Sequence, residues 1–112
     1  MNEQRKKQLL AEYKYRKSEL GIICLYDTIN KASFLATSKD TKADLNSHRF
    51  KLKANWHGNP EIQALWNQQG EEYFELKVIE VLETEEDELE AADLLDELLS
   101  DCLQKIENSK RI

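Results

Sequence analysis

The chain has 112 residues, 40% of them hydrophobic and 34% charged, with a formal net charge of -6. This length supports one domain with one core and excludes two, and no apolar run approaches the roughly 20 residues of a membrane span. Residues 1–53 hold 12 Lys+Arg against 6 Asp+Glu, whereas residues 54–112 hold 4 against 16; charge alone therefore does not favour a polyanion as partner, and the two halves are expected to attract each other in the fold.

Taken in chain order, residues 3–17 place Leu9, Leu10 and Tyr13 at helical spacing among charges, which predicts an amphipathic first helix ending near Ser18. Its charged start, Met1-Asn2-Glu3-Gln4-Arg5-Lys6-Lys7, is unlike a signal peptide, so a cytoplasmic location is expected. Leu20 to Tyr26 is apolar on both faces, as in a covered strand; turn formers follow at Asp27 to Lys31, and Ser33 to Thr37 resume a strand, which predicts a hairpin. Ser38, Asp40 and Thr41 are alternative N-caps for a helix over about 41–54, with Asp44 three residues after Thr41 as in a capping box. A second helix is marked by Asn59 as N-cap, Pro60 at its first position and Gly70 as its stop, with Ile62, Leu65 and Trp66 facing inward. Residues 72–82 alternate, Phe74, Leu76 and Val78 against Tyr73, Glu75 and Lys77, which predicts a third strand.

After an acidic run from Glu80 to Glu90, a stripe of Leu89, Leu95, Leu98, Leu99, Cys102, Leu103 and Ile106 predicts a long last helix over about 86–108. Cys24 and Cys102 show no metal-ligand spacing and are expected to be free, buried thiols. The expected architecture is α/β (α+β): one domain over residues 1–112, in the order αββααβα, with a small three-stranded, mostly antiparallel sheet flanked by helices and a core region over 20–82.

Chemistry-bearing patterns are few. There is no glycine-rich phosphate loop, no cysteine and histidine cluster with zinc spacing, and no nucleophile with a recognisable partner set. Lys42, Asn46, Arg49 and Lys53 stand at i, i+4, i+7 and i+11, so they share one helix face that can meet a phosphate backbone; the bland alternative is an ordinary solvated basic face. Trp66 has inward spacing, and Trp56 is open to either a core or a base-stacking role.

The succession Gly21-Ile22-Ile23, ten residues, Phe34-Leu35-Ala36, Ser38-Lys39-Asp40, a helix with His48, the loop Trp56-His57-Gly58-Asn59 and the strand Phe74 to Leu82 resembles a GIY-YIG nuclease domain over roughly three quarters of the chain. In that family a tyrosine of the first motif works near the attacking water, a tyrosine of the second helps hold the site, a helix arginine stabilises the phosphorane-like charge, and a glutamate after the third strand holds a divalent metal. The matching positions here are Ile23, Phe34 and Asp44, three groups that cannot do this work, since two lack the hydroxyl and the third replaces a cation by an anion. The metal position falls on Asp93, with Glu90 and Glu97 one turn to either side; each could instead belong to a solvated acidic face. Arg49, with His57 at a histidine position of some members, would be the substitutes in a relocated site.

The resemblance thus implies a nuclease-like domain without the usual cleavage chemistry, acting as a binding module and needing no cofactor. Its partner would be DNA, through Lys42, Asn46, Arg49 and Lys53, or a protein, through the acidic last helix. The alternative is a DNA endonuclease with displaced catalytic residues, for which Mg²⁺ or Mn²⁺ would be the cofactor.

Overall fold

The computed structural model describes residues 18–84 and 87–112. The helix expected over residues 3–17, with its Arg5-Lys6-Lys7 cluster, lies outside the described residues. Strands β1 (Leu20–Asp27) and β2 (Ala32–Ser38) form the expected antiparallel hairpin. Its turn is built on Asp27, whose fully buried carboxylate accepts from the backbone N–H groups of Ile29 and Asn30, from the Asn30 side-chain amide and from Gln69. These donors satisfy a buried carboxylate in place of water.

β3 (Phe74–Leu82) pairs antiparallel with the other edge of β1, with a register shift between Ile22 and Ile23. Side-chain direction alternates with period two, so the extra residue on β3 reverses it: Phe74 and Leu76 pack on one face of the sheet, Leu82 on the other. The same irregularity explains Gly21. A Cβ there would lie 2.2 Å from the Glu80 carbonyl oxygen, so the strands approach this closely only because the residue is glycine.

The sheet has four strands in the order β3-β1-β2-β4, one more than the sequence predicts. β4 (Ser109–Arg111) runs parallel to β2. Three residues are too short for an alternation to register, and what seats them is tertiary: Asn108, at positive φ, donates its side-chain amide to the carbonyls of Asn30 and Lys31.

Helices α1 (Thr41–Lys53) and α2 (Pro60–Gln69) cover one face, where Leu25, Phe34, Leu52, Ile62, Trp66 and Phe74 form a core. Helix α3 (Glu88–Lys105) covers the other through Leu95, Leu99 and Cys102, packed on Ile22, Cys24 and Leu35. Of the three candidate caps for α1, Asp40 is the one used, accepting from Ala43 N–H; Asn59, Pro60 and Gly70 bound α2 as expected. Both cysteines are free and buried, and burial raises their thiol pKa values.

One expectation fails and another holds only in part. Leu89, assigned to the buried stripe of the last helix, is 79% exposed, because α3 begins at Glu88 and its first turn precedes the part that meets the sheet. The basic and acidic halves do meet, through the pairing of β1 with β3 and through Lys53–Glu71 at 3.4 Å, but α1 and α3 lie on opposite faces of the sheet, and among the described residues no ion pair joins those two helices.

Candidate functional site

Period-two alternation sets Ile23, Phe34, Ala36 and Ser38 on the sheet face that α1 and α2 cover. Ile23 and Phe34 are each 1% exposed, so the two motif positions that would carry tyrosines are closed hydrocarbon. Asp44 turns inward to accept from the Ser38 hydroxyl, which itself receives the Asp40 N–H. At the position where the resemblance implies an arginine, the site presents a carboxylate tied to the end of β2.

One turn further along α1, His48 Nδ1 lies 2.7 Å from His57 Nε2, with the rings stacked at 5.0 Å between centroids. The Asn59 N–H donates to His57 Nδ1 at 3.0 Å. That donor assigns the tautomers: His57 carries its proton on Nε2 and gives it to His48 Nδ1, which leaves the His48 proton on Nε2. Both pKa values are pushed down. For His48 the causes are burial and then the charge of His57, against an opposing pull from Asp44; for His57 they are burial and then Lys51. Protonating either ring would also remove an acceptor from this chain. In this state both nitrogens of His57 are engaged, so it has no free lone pair with which to act as a base, and its ring partner is His48 rather than Arg49. The sequence reading placed the two histidines but not their contact.

What folds the loop back is the end of α1. Ala54 caps it, Asn55 takes a positive φ, Asn55 N–H donates to the Leu52 carbonyl and Trp56 N–H to that of Lys51, which is a Schellman motif. Gln63, buried on α2, then laces the turn in place: its Oε1 accepts from His57 N–H, and its Nε2 donates to the Leu52 carbonyl and to Asn67. Its pairing with Asn67 is an ordinary i, i+4 contact within α2, but nothing in the sequence marks its bonds to Leu52 on α1 and His57 in the loop.

The outward face of α1 is different in kind. Lys42, Asn46, Arg49 and Lys53 are all exposed along it, together with Phe50. Lys53 pairs with Glu71 at 3.4 Å, both well exposed; among the described residues the side chains of Lys42, Asn46 and Arg49 have no hydrogen bond or ion pair. Asp44, the one acidic residue of α1, faces inward. This face therefore presents cations and amide with no carboxylate of its own.

Asp93 and Glu90 are exposed on α3, across the sheet from the histidine pair. Among the described residues no three His, Cys, Asp or Glu side chains converge as metal ligands. The resemblance implies a single carboxylate as the metal's protein ligand, and its candidates Asp93 and Glu90 stand on the helix that covers the sheet face opposite Phe34.

No family model and no curated protein matches the chain. Solved structures do. One is the catalytic domain of the intron endonuclease I-TevI in a point-mutant form, with a TM-score of 0.64 at 22% identity, covering 79% of this chain and 84% of that one. A second, the catalytic domain of the homing endonuclease I-TevI, gives a TM-score of 0.60 at 20% identity over 83% of this chain and 97% of that one. The chain has a GIY-YIG-like fold. Within a GIY-YIG-like fold, Ile23, Phe34 and Asp44 occupy the sheet face and helix end where the resemblance expects the reacting groups, and they fill that space with hydrocarbon and an internal hydrogen bond.

Proposed function

We propose that this GIY-YIG-like domain binds nucleic acid without cleaving it, and that the outward face of α1 is the binding surface. The observation that carries this reading is the line of Lys42, Asn46, Arg49 and Lys53 on the solvent side of α1, with the helix's single carboxylate turned inward. Cations and an amide at these intervals suit successive phosphate oxygens, which position a protein on a nucleic acid without specifying sequence. The filled site supports the loss of cleavage: Ile23 and Phe34 offer no hydroxyl, and Asp44 would repel the charge that develops on a transferring phosphoryl group.

Anisotropy titration of labelled duplex and branched DNA at about 50 and 200 mM salt tests the reading, since phosphate contacts weaken steeply over that range. Salt-sensitive binding that Arg49→Ala weakens is expected, together with intact DNA on a denaturing gel in Mg²⁺ or Mn²⁺. Strand scission under those conditions would overturn the non-cleaving half of the proposal and revive the metal-dependent endonuclease. Loss of that scission in both Arg49→Ala and Asp93→Ala would then assign its site.

A further inference from the structure

Two large aromatic side chains stand in solvent at the C-terminal end of α1: Phe50 is 66% exposed and Trp56 71%. Phe50 shares the outward face with Asn46, Arg49 and Lys53, four, one and three residues away along the helix. Trp56 follows the helix directly at the last position of the Schellman turn. Apolar residues at that position ordinarily pack back on the residues three or four before the cap, here Lys51 and Phe50, yet the Phe50 and Trp56 rings both stay mostly exposed. Trp56 is not loose. Its own N–H is bound to the Lys51 carbonyl at 2.8 Å, and the next N–H, of His57, is bound to buried Gln63 at 2.9 Å. The indole is thus held out from a fixed backbone, which lowers the ordering cost of whatever stacks on it.

Resting on the reading that this face binds nucleic acid, we infer that Phe50 and Trp56 are stacking platforms for unpaired bases, so that the preferred ligand is single-stranded rather than duplex. The charge identifies the partner as a polyanion, and the rings decide which kind. A paired base keeps its π-faces inside the helical stack, whereas an unpaired one presents them, and sequence-tolerant stacking beside a cationic track is how single strands are held. The partner is therefore a strand whose phosphates lie along Lys42, Arg49 and Lys53 while bases reach the two rings. DNA and RNA share that chemistry.

The test titrates the full chain against a labelled mixed-sequence 12-nucleotide single strand, as DNA and as RNA, and against the blunt DNA duplex of the same sequence. Trp56→Ala and Phe50→Ala remove exposed side chains, and their unfolding midpoints are expected to match that of the parent. Each should weaken single-strand binding by about tenfold and duplex binding by less than about twofold, with Trp56→Phe restoring most of the loss. Quenching of tryptophan emission on binding should disappear in Trp56→Ala and persist in a Trp66→Phe variant that keeps Trp56. Comparison of the DNA and RNA strands then shows which source binds more tightly. Equal losses on single strand and duplex, or single-strand affinity unchanged in both alanine variants, overturn the stacking inference while leaving the phosphate-binding face intact. Absence of binding to all three probes at low salt overturns the face itself, and the inference with it.

Discussion

Gly21 shows how a single residue sets the fold's tolerance. The 2.2 Å clash awaiting a Cβ is with backbone, which has no rotamer to yield, so Gly21→Ala is expected to cost about 2–3 kcal/mol in urea unfolding through displacement of β3. The histidine pair makes a pH prediction with a definite sign. His48 and His57 have folded pKa values below 6.5, so as pH falls the unfolded chain takes up protons first. Their contribution to stability is intact above the unfolded value and is lost as pH falls from there through the lowered folded values. Denaturant midpoints measured from pH 7.5 to 5 should therefore decline, and the decline should flatten in the double variant His48→Gln, His57→Gln. An unchanged slope in that variant would mean that other groups carry the acid sensitivity.

At the scale of elements, the joint between α1 and α2 does more than connect them. Asn55, Trp56 and His57 reverse the chain, and Gln63 binds the reversal to both helices through three hydrogen bonds. Gln63→Ala leaves the His57 N–H and the Leu52 carbonyl without this partner, at an expected cost of about 2 kcal/mol. Because the lost bonds hold the segment that presents Trp56, hydrogen exchange at the His57 amide should accelerate by more than the global destabilisation accounts for. If it accelerates only in step with global unfolding, the Schellman bonds and the Asn67–Asn55 side-chain bond hold the turn without Gln63. The sequence announced the limits of α2 through Asn59, Pro60 and Gly70, each acting within its own turn, but it could not announce this joint, whose bonds span up to twelve residues.

For the whole molecule, the arrangement of charge is the feature that matters. The basic face of α1 and the acidic, exposed side of α3 are separated by the sheet, so the domain is polarised, although Lys53 at the end of that face pairs with Glu71. A polyanion approaching α1 meets cations with the acidic helix behind the sheet, which answers the objection that the net charge of -6 raises. Removing Lys42, Arg49 and Lys53 together should lower the slope of log affinity against log salt by roughly 2 to 3, close to 0.9 per lost phosphate contact on duplex DNA. A slope that does not change would place the phosphate contacts elsewhere on the surface.

What the sequence determined by itself is what depends on neighbours in the chain: strand alternation in Phe74 to Val78, the caps of α2, the inward stripe of α3 beyond its first turn, and the motif order that carries the resemblance. These are local because backbone hydrogen bonding and side-chain periodicity operate over a few residues. The tertiary structure decided the rest. It added β4 through Asn108, turned Asp44 onto Ser38, joined His48 to His57 through the folded-back turn, and set the two charged helices on opposite faces. Each of those outcomes depends on which distant group arrives to offer a hydrogen bond or an apolar surface, and periodicity along the chain carries no record of that arrival.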